Sequence, residues 1–365
     1  MFNDKTQNAG NDAIQIRVEN MTLNEVSNIY NVCQNSVLQE YLLNAVDTAK
    51  ERIGKLESQI MNLTDKVDGF LTAFGDPAFQ FLLKDVQRSA ASTEREYDYK
   101  ILANLLAAHV QKGEKRITRA AIHRAVEIIP ELDSQALCAL TILCSMEIFT
   151  THSVSAENCD DVFSRYNNLL KKLIYTELPQ NRTWLEHLML FDAVQINITI
   201  WEEIFVDYLV RIFNGYASIG IKKDSNNFST AREIIIKASL PEELLVDNEF
   251  AEGYVRLNIV DFNNLPNVII RSEKEEKFIS ESEIKAIQQI HSLYEKNDEL
   301  QEQIKIKLLE KWDSFEELKK FRKWKESISS GIYITYIGVM LAWINAKNYE
   351  PDLPDFILDK KCNEL

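Results

Sequence analysis

With 365 residues, 45% of them hydrophobic and 27% charged, the chain is long enough for two or three well-filled cores and is neither disordered nor membrane-like in composition. Only 10 glycines and 7 prolines disfavour a turn-rich all-β architecture and favour long helices. A formal charge of −15 repels polyanions at long range, so nucleic-acid binding would need a local basic patch working against that field.

The five cysteines (Cys33, Cys138, Cys144, Cys159 and Cys362) include no CxxC pair and no histidine at zinc-finger spacing. Free thiols in a reducing cytosol are expected, with no metal and no cofactor. The amino terminus, MFNDKTQNAG, lacks the basic-then-apolar order of a signal peptide, and the apolar run from Gly331 to Ala346 is too short to span a bilayer. A cytoplasmic protein without a membrane partner is the expectation.

In chain order, residues 1–22 are expected to form a β arm. Ile14, Ile16 and Val18 alternate with Gln15 and Arg17, and an isolated strand needs an edge to pair with. Thr22-Leu-Asn-Glu25 is a capping box that opens a helix. From there to Phe74 no proline intervenes, and residues 23–76 read as one long coiled-coil helix. Its seam runs through Leu38, Leu42, Ala45, Ala49, Ile53, Leu56, Ile60, Leu63, Val67, Phe70 and Phe74, with one stutter between Ala49 and Ile53. Ile53, Ile60 and Val67 at position a, with Leu56, Leu63 and Phe70 at d, favour a parallel homodimer. A hairpin folded back on its own chain would use the same spacing. Gly75-Asp76-Pro77 is read as the helix stop.

Residues 77–220 are expected to be a helical domain. Apolar stripes at helical period run through Ile101, Leu102, Leu105, Leu106 and Val110, then through Ile117, Ala121, Ile122, Ala125, Ile128 and Ile129, then through Leu137, Leu140, Leu143 and Ile148. A further helix is expected from Val162 to Ile174, and Thr183-Trp-Leu-Glu186 reads as a capping box. Val194 to Ile200 alternates like a strand, but a buried helix continuing to Phe213 fits as well. Residues 221–282 read as a mixed polar connector, with a flexible loop at Asp224–Asn227 and strands at Tyr254–Val260 and Asn267–Arg271.

Residues 283–365 suggest a winged-helix-like region. It has helices near Glu283–Tyr294 and Leu300–Trp312, a capping box at Ser314-Phe-Glu-Glu317, and a strand from Gly331 that turns into a last helix, Gly338–Lys347. The fold class is therefore mainly α: a short β arm, a long coiled-coil helix, a central helical domain and a winged-helix-like end.

Three segments carry a resemblance: NAGNDAIQIRVENMTLN, the stretch from Asp76-Pro77 through LLAAHV and AVEIIPELDSQALCALTIL, and YITYIGVMLAWINAKN. Through them the chain resembles an uncharacterised family of bacterial cytoplasmic proteins, helical and coiled-coil-containing. The resemblance implies an oligomer of bacterial or mobile-element origin, suggests phage defence by association, and brings no catalytic residues with it.

No catalytic signature stands out, and the expected role is a non-enzymatic oligomeric scaffold or sensor, with a protein partner besides itself. One alternative is a dimeric HEPN-like ribonuclease using Arg182 with His187 or Arg116 with His123, a cation for the phosphate beside an imidazole for the 2′-hydroxyl. Another is nucleic-acid binding through Lys319, Lys320, Arg322, Lys323 and Lys325, with Phe321 and Trp324 facing the core.

Overall fold

The computed structural model describes residues 36–113, 115–146, 158–196, 204–271, 276–328, 331–351 and 353. Among them fifteen α-helices and seven short strands make a mainly helical protein. It divides into two compact units, Met1–Leu132 and Asp133–Leu365. The division falls inside the 77–220 stretch read as one domain. The β arm and the Thr22 capping box lie outside the described residues.

In the first unit, α1 (Ser36–Thr64) is followed by a single turn, α2 (Phe70–Ala73), and by α3 (Pro77–Ser92), α4 (Glu96–Lys112) and α5 (Arg116–Ile128). The long helix thus ends at Thr64 rather than Phe74. Gly69, at φ 76°, takes the left-handed conformation that glycine adopts without a Cβ penalty, and the chain turns there. Turning delivers Phe70 to an edge-to-face cluster with Phe74 and Phe79, at centroid distances of 5.1 to 6.0 Å. Asp76 starts a helix instead of ending one: its carboxylate accepts from the Ala78 amide at 3.0 Å, with Pro77 in the first turn.

The seam is corrected in its second half. Ile53, Leu56, Ile60, Val67 and Phe70 are buried, with α1 packed on α3 and α4 of its own chain. Each such side chain contributes about 1.5–3 kcal/mol when fully buried, and the stripe Ile101, Leu102, Leu105 and Leu106 on α4 supplies the matching apolar face. A heptad fits an intramolecular neighbour as well as a second copy. Arg95 ties the bundle end together: its Nε donates to Asp98 Oδ2 at 2.9 Å and its other nitrogens donate to the Ile129 and Leu132 carbonyls.

In the second unit, Asp133 caps α6 (Ser134–Cys144) through the Gln135 and Ala136 amides. Then come α7 (Cys159–Leu173), α8 (Thr183–Leu190), β1 (Val194–Ile196), α9 (Phe205–Ile212) and α10 (Asn214–Ala217). Thr183 is the first residue of α8, not its cap, and Asn181 Oδ1 accepts its amide at 3.0 Å.

The expected polar connector is a folded α/β layer. It comprises β2 (Ile221–Lys222), α11 (Asn226–Lys237), β3 (Leu245–Asp247), β4 (Tyr254–Leu257), the hairpin of β5 (Ile269–Arg271) and β6 (Glu276–Phe278), and α12 (Glu281–Ser292). The β2-β4-β3 sheet is antiparallel, with β3 at one edge. Ile221, Ala231, Ile235, Val255, Leu257, Ile287 and Ile290 are part of its buried core. The supposed flexible loop is a helix start, since Ser225 Oγ accepts from the Phe228 amide.

The chain ends with α13 (Asp298–Asp313), α14 (Glu316–Ser327), β7 (Ile332–Ile334) and α15 (Tyr336–Tyr349). Trp312 is fully buried against Phe163, Phe205, Phe213 and Phe321, and its Nε1 donates to the Leu318 carbonyl at 2.8 Å. Ser314 does not cap α14. Its hydroxyl donates back to the Lys311 carbonyl, and Asn167 Oδ1 accepts the Glu317 amide.

The strand after α14 is the one expected from Gly331 in a winged-helix-like region. It pairs with β1, Val194 opposite Ile334, and leads into α15. Thr335 caps that helix through the Gly338 amide. The expected strand-to-helix turn is present; a wing hairpin is not, among the described residues.

Candidate interaction surfaces

The exposed first turns of α1 form one surface. Tyr41 is 68% exposed, Ala45 is exposed, and Leu42 and Ala49 are half-buried on the same face, while Leu43, 62% exposed, lies on the other side of the helix. Leu38 lies in α1 with its side chain outside the described ones. The seam thus divides: Leu42, Ala45 and Ala49 leave apolar area in water, while Ile53 onward is core, apart from half-buried Leu63 and Phe74. The first turns are held in register by the buried second half.

A second surface is α14. Leu318, Phe321 and Trp324 are buried, and the expected basic face is largely neutralised. Arg322 donates to both oxygens of Asp313, at 2.6 and 2.8 Å, and also pairs with Glu326. Those carboxylates hold the guanidinium protonated far above its ordinary range, the Asp313 hydrogen bond being the main cause. Lys320 pairs with Glu316 and Glu317, and Lys325 lies 5.2 Å from the Tyr208 ring centre. That leaves Lys319 and Lys323, exposed and without an acidic partner among the described residues.

Both arginine–histidine pairs lie on helices, Arg182 and His187 at the N-cap and on the body of α8, Arg116 and His123 on α5. His187 Nε2 accepts the Asp133 backbone amide at 3.0 Å, so its lone pair is engaged, while Arg182 is the exposed N-cap of α8. His123 Nδ1 lies 3.9 Å from Asp85, and its ring meets His109 edge-on at 6.0 Å. Burial, then the nearby His123 and Arg119, push the His109 pKa down. Burial also pushes the Cys138 thiol up to about 11, so it is an inert apolar group. Cys144 and Cys159 are likewise buried and in no disulfide, and Cys33 and Cys362 lie outside the described residues. Among the described residues no group of His, Cys, Asp and Glu could hold a metal ion, and no helix is long and apolar enough to cross a membrane.

The third surface was missed from sequence. A groove of about 400 Å³ lies between α11 and the edge strand β3. Phe228, Ile235, Leu245 and Val255 line it, and Ile236 stands on its rim, 64% exposed. Lys223 pairs with Asp247 at 2.7 Å, and Arg232 with Glu242 at 3.4 Å, across the opening. Two signals were present in the sequence. Phe228, Ala231 and Ile235 are spaced for one helix face, and Leu245 and Asp247 share one face of a strand.

No curated protein and no solved structure matches the chain. A family model does match, over residues 20–356, which takes in most of the segments that carry the resemblance as well as the groove and both helical surfaces. The chain belongs to that family, an uncharacterised one.

Proposed function

We propose that the protein is a homo-oligomeric, non-enzymatic scaffold or sensor whose copies associate in parallel through the first turns of α1. One observation carries this reading. Tyr41 and Ala45 are exposed on one side of a helix, beside half-buried Leu42 and Ala49, and the helix's second half is locked into a bundle, so that face is presented rigidly. Pairing two rigid helices costs little ordering entropy beyond docking itself. Joining copies in this way would hold their remaining surfaces together and raise avidity for a shared partner. The resemblance suggests the bacterial cytoplasm as the setting and phage defence as the process.

Mixing donor-labelled and acceptor-labelled protein tests the association. Energy transfer is expected in the wild type and should disappear in the double variant Tyr41→Glu with Ala45→Glu. Undiminished transfer in that variant would remove α1 from the interface. Nucleic-acid binding through Lys319 and Lys323 is the weaker proposal, supported only by their shared exposed face. It requires binding in low salt that weakens as salt is added.

A further inference from the structure

The groove beside β3 has the features of a strand-addition site. In the β3–β4 ladder, Asn248 donates to the Tyr254 carbonyl and Asn258 donates to the Leu244 carbonyl. Antiparallel pairs alternate, so Leu245 and Asp247 turn their backbone groups away from β4 toward the open edge. The Leu245 amide is taken by the Glu242 carbonyl. The Leu245 carbonyl, the Asp247 amide and the Asp247 carbonyl have no partner among the described residues. An extended chain laid along β3 can satisfy those three groups.

The same two residues aim their side chains into the groove, beneath α11. A strand added here would present every second side chain to that groove, and Leu245, Val255, Ile235 and Ile236 suit an aliphatic one. Exposed Glu243, beside the edge, has no cationic partner among the described residues, and Asp247 and Glu242 stand in weak, exposed ion pairs. With a formal charge of −15 on the whole chain, the field favours a basic partner.

We propose that this groove binds an extended segment of a partner protein, in which aliphatic residues alternate with basic ones, by strand addition to β3. The aliphatic side chains enter beneath α11, the backbone bonds to Leu245 and Asp247, and the basic residues meet the carboxylates along the edge. This deepens the scaffold reading by naming the partner's chemistry. Its test reads peptide binding at Ile236, while the association through α1 is read with the Tyr41 and Ala45 variants, so either can fail while the other stands.

The experiment is fluorescence anisotropy of a labelled, end-blocked peptide of alternating valine and lysine, titrated with the intact protein. Saturable binding is expected, and Ile236→Glu should weaken it about tenfold or more. Ile236 is mostly exposed, so a glutamate there leaves the core intact. Ile306→Glu, at an isoleucine outside the groove that is 52% exposed, should bind as the wild type does. N-methylating alternate peptide amides should abolish binding, and replacing lysine by glutamate should weaken it. Absence of saturation at about 1 mM, or equal affinity for wild type and Ile236→Glu, would overturn the proposal. It would also fall if Ile236→Glu abolished self-association, because the occupant would then be a second copy.

Discussion

A methyl group at position 338 has nowhere to go: a Cβ there would lie 2.1 Å from the Ala193 carbonyl oxygen. Gly338→Ala should therefore force α15 away from β1 and cost about 1–3 kcal/mol in urea unfolding; an unchanged midpoint would contradict the packing. The Thr-x-x-Gly turn itself was legible, because capping is local. The reason for the glycine was not, since the oxygen it approaches belongs to a residue far away in sequence. Arg322 and Lys323 are adjacent and look alike as letters, yet only Arg322 is held by Asp313 and Glu326. Arg322→Ala should lose about 1 kcal/mol and Lys323→Ala close to none. Equal losses would mean that the paired carboxylates do not matter.

The histidines make a further residue-scale prediction. Burial lowers the pKa of both His109 and His291 below 6.5 in the folded protein. Between the folded value and 6.5 the unfolded chain binds more protons, so stability is fully present above 6.5 and falls as pH drops through that window. Once the folded groups also protonate, the curve flattens. Denaturant midpoints between pH 7.5 and 5.5, taken as about the useful range, should decline, and His109→Gln should shallow the decline. An identical slope in the variant would rule His109 out as a source.

At the level of elements, α1 is two things in one helix. From Ile53 onward it is a core member of the first unit, so Ile53→Glu should unfold that unit, buried charge being far more costly than lost area. Tyr41→Glu, on the exposed turns, should leave the monomer's urea midpoint within about 0.5 kcal/mol of wild type. If both variants behaved alike, the division of the helix would be wrong. The heptad spacing was plain in the sequence, but spacing alone does not say whether a seam faces its own chain or another. The turn at Gly69 was hidden because the apolar steps continue through it to Phe74. In the α/β layer the strands at Tyr254–Val260 and Asn267–Arg271 were legible, and β4 and β5 lie there, but the layer as a whole was not, because its strands are two to four residues long and their burial comes from α11 and α12.

At the scale of the whole molecule, the described residues form two compact, mainly helical units, and a family model matches residues 20–356. Its strong negative charge keeps separate molecules apart unless an apolar contact outweighs the repulsion. Added salt should therefore strengthen self-association through α1, the reverse of its effect on phosphate contacts at α14. Removing α1 altogether is a poor test, because it would strip Ile53, Leu56 and Ile60 from the core. The direct test is sedimentation equilibrium of the intact protein at high micromolar concentration in moderate salt. A parallel dimer predicts twice the chain mass of 42.2 kDa, with Tyr41→Glu combined with Ala45→Glu returning it to a single chain. A wild-type mass that stays at 42.2 kDa across the concentration range would contradict the proposed association through α1.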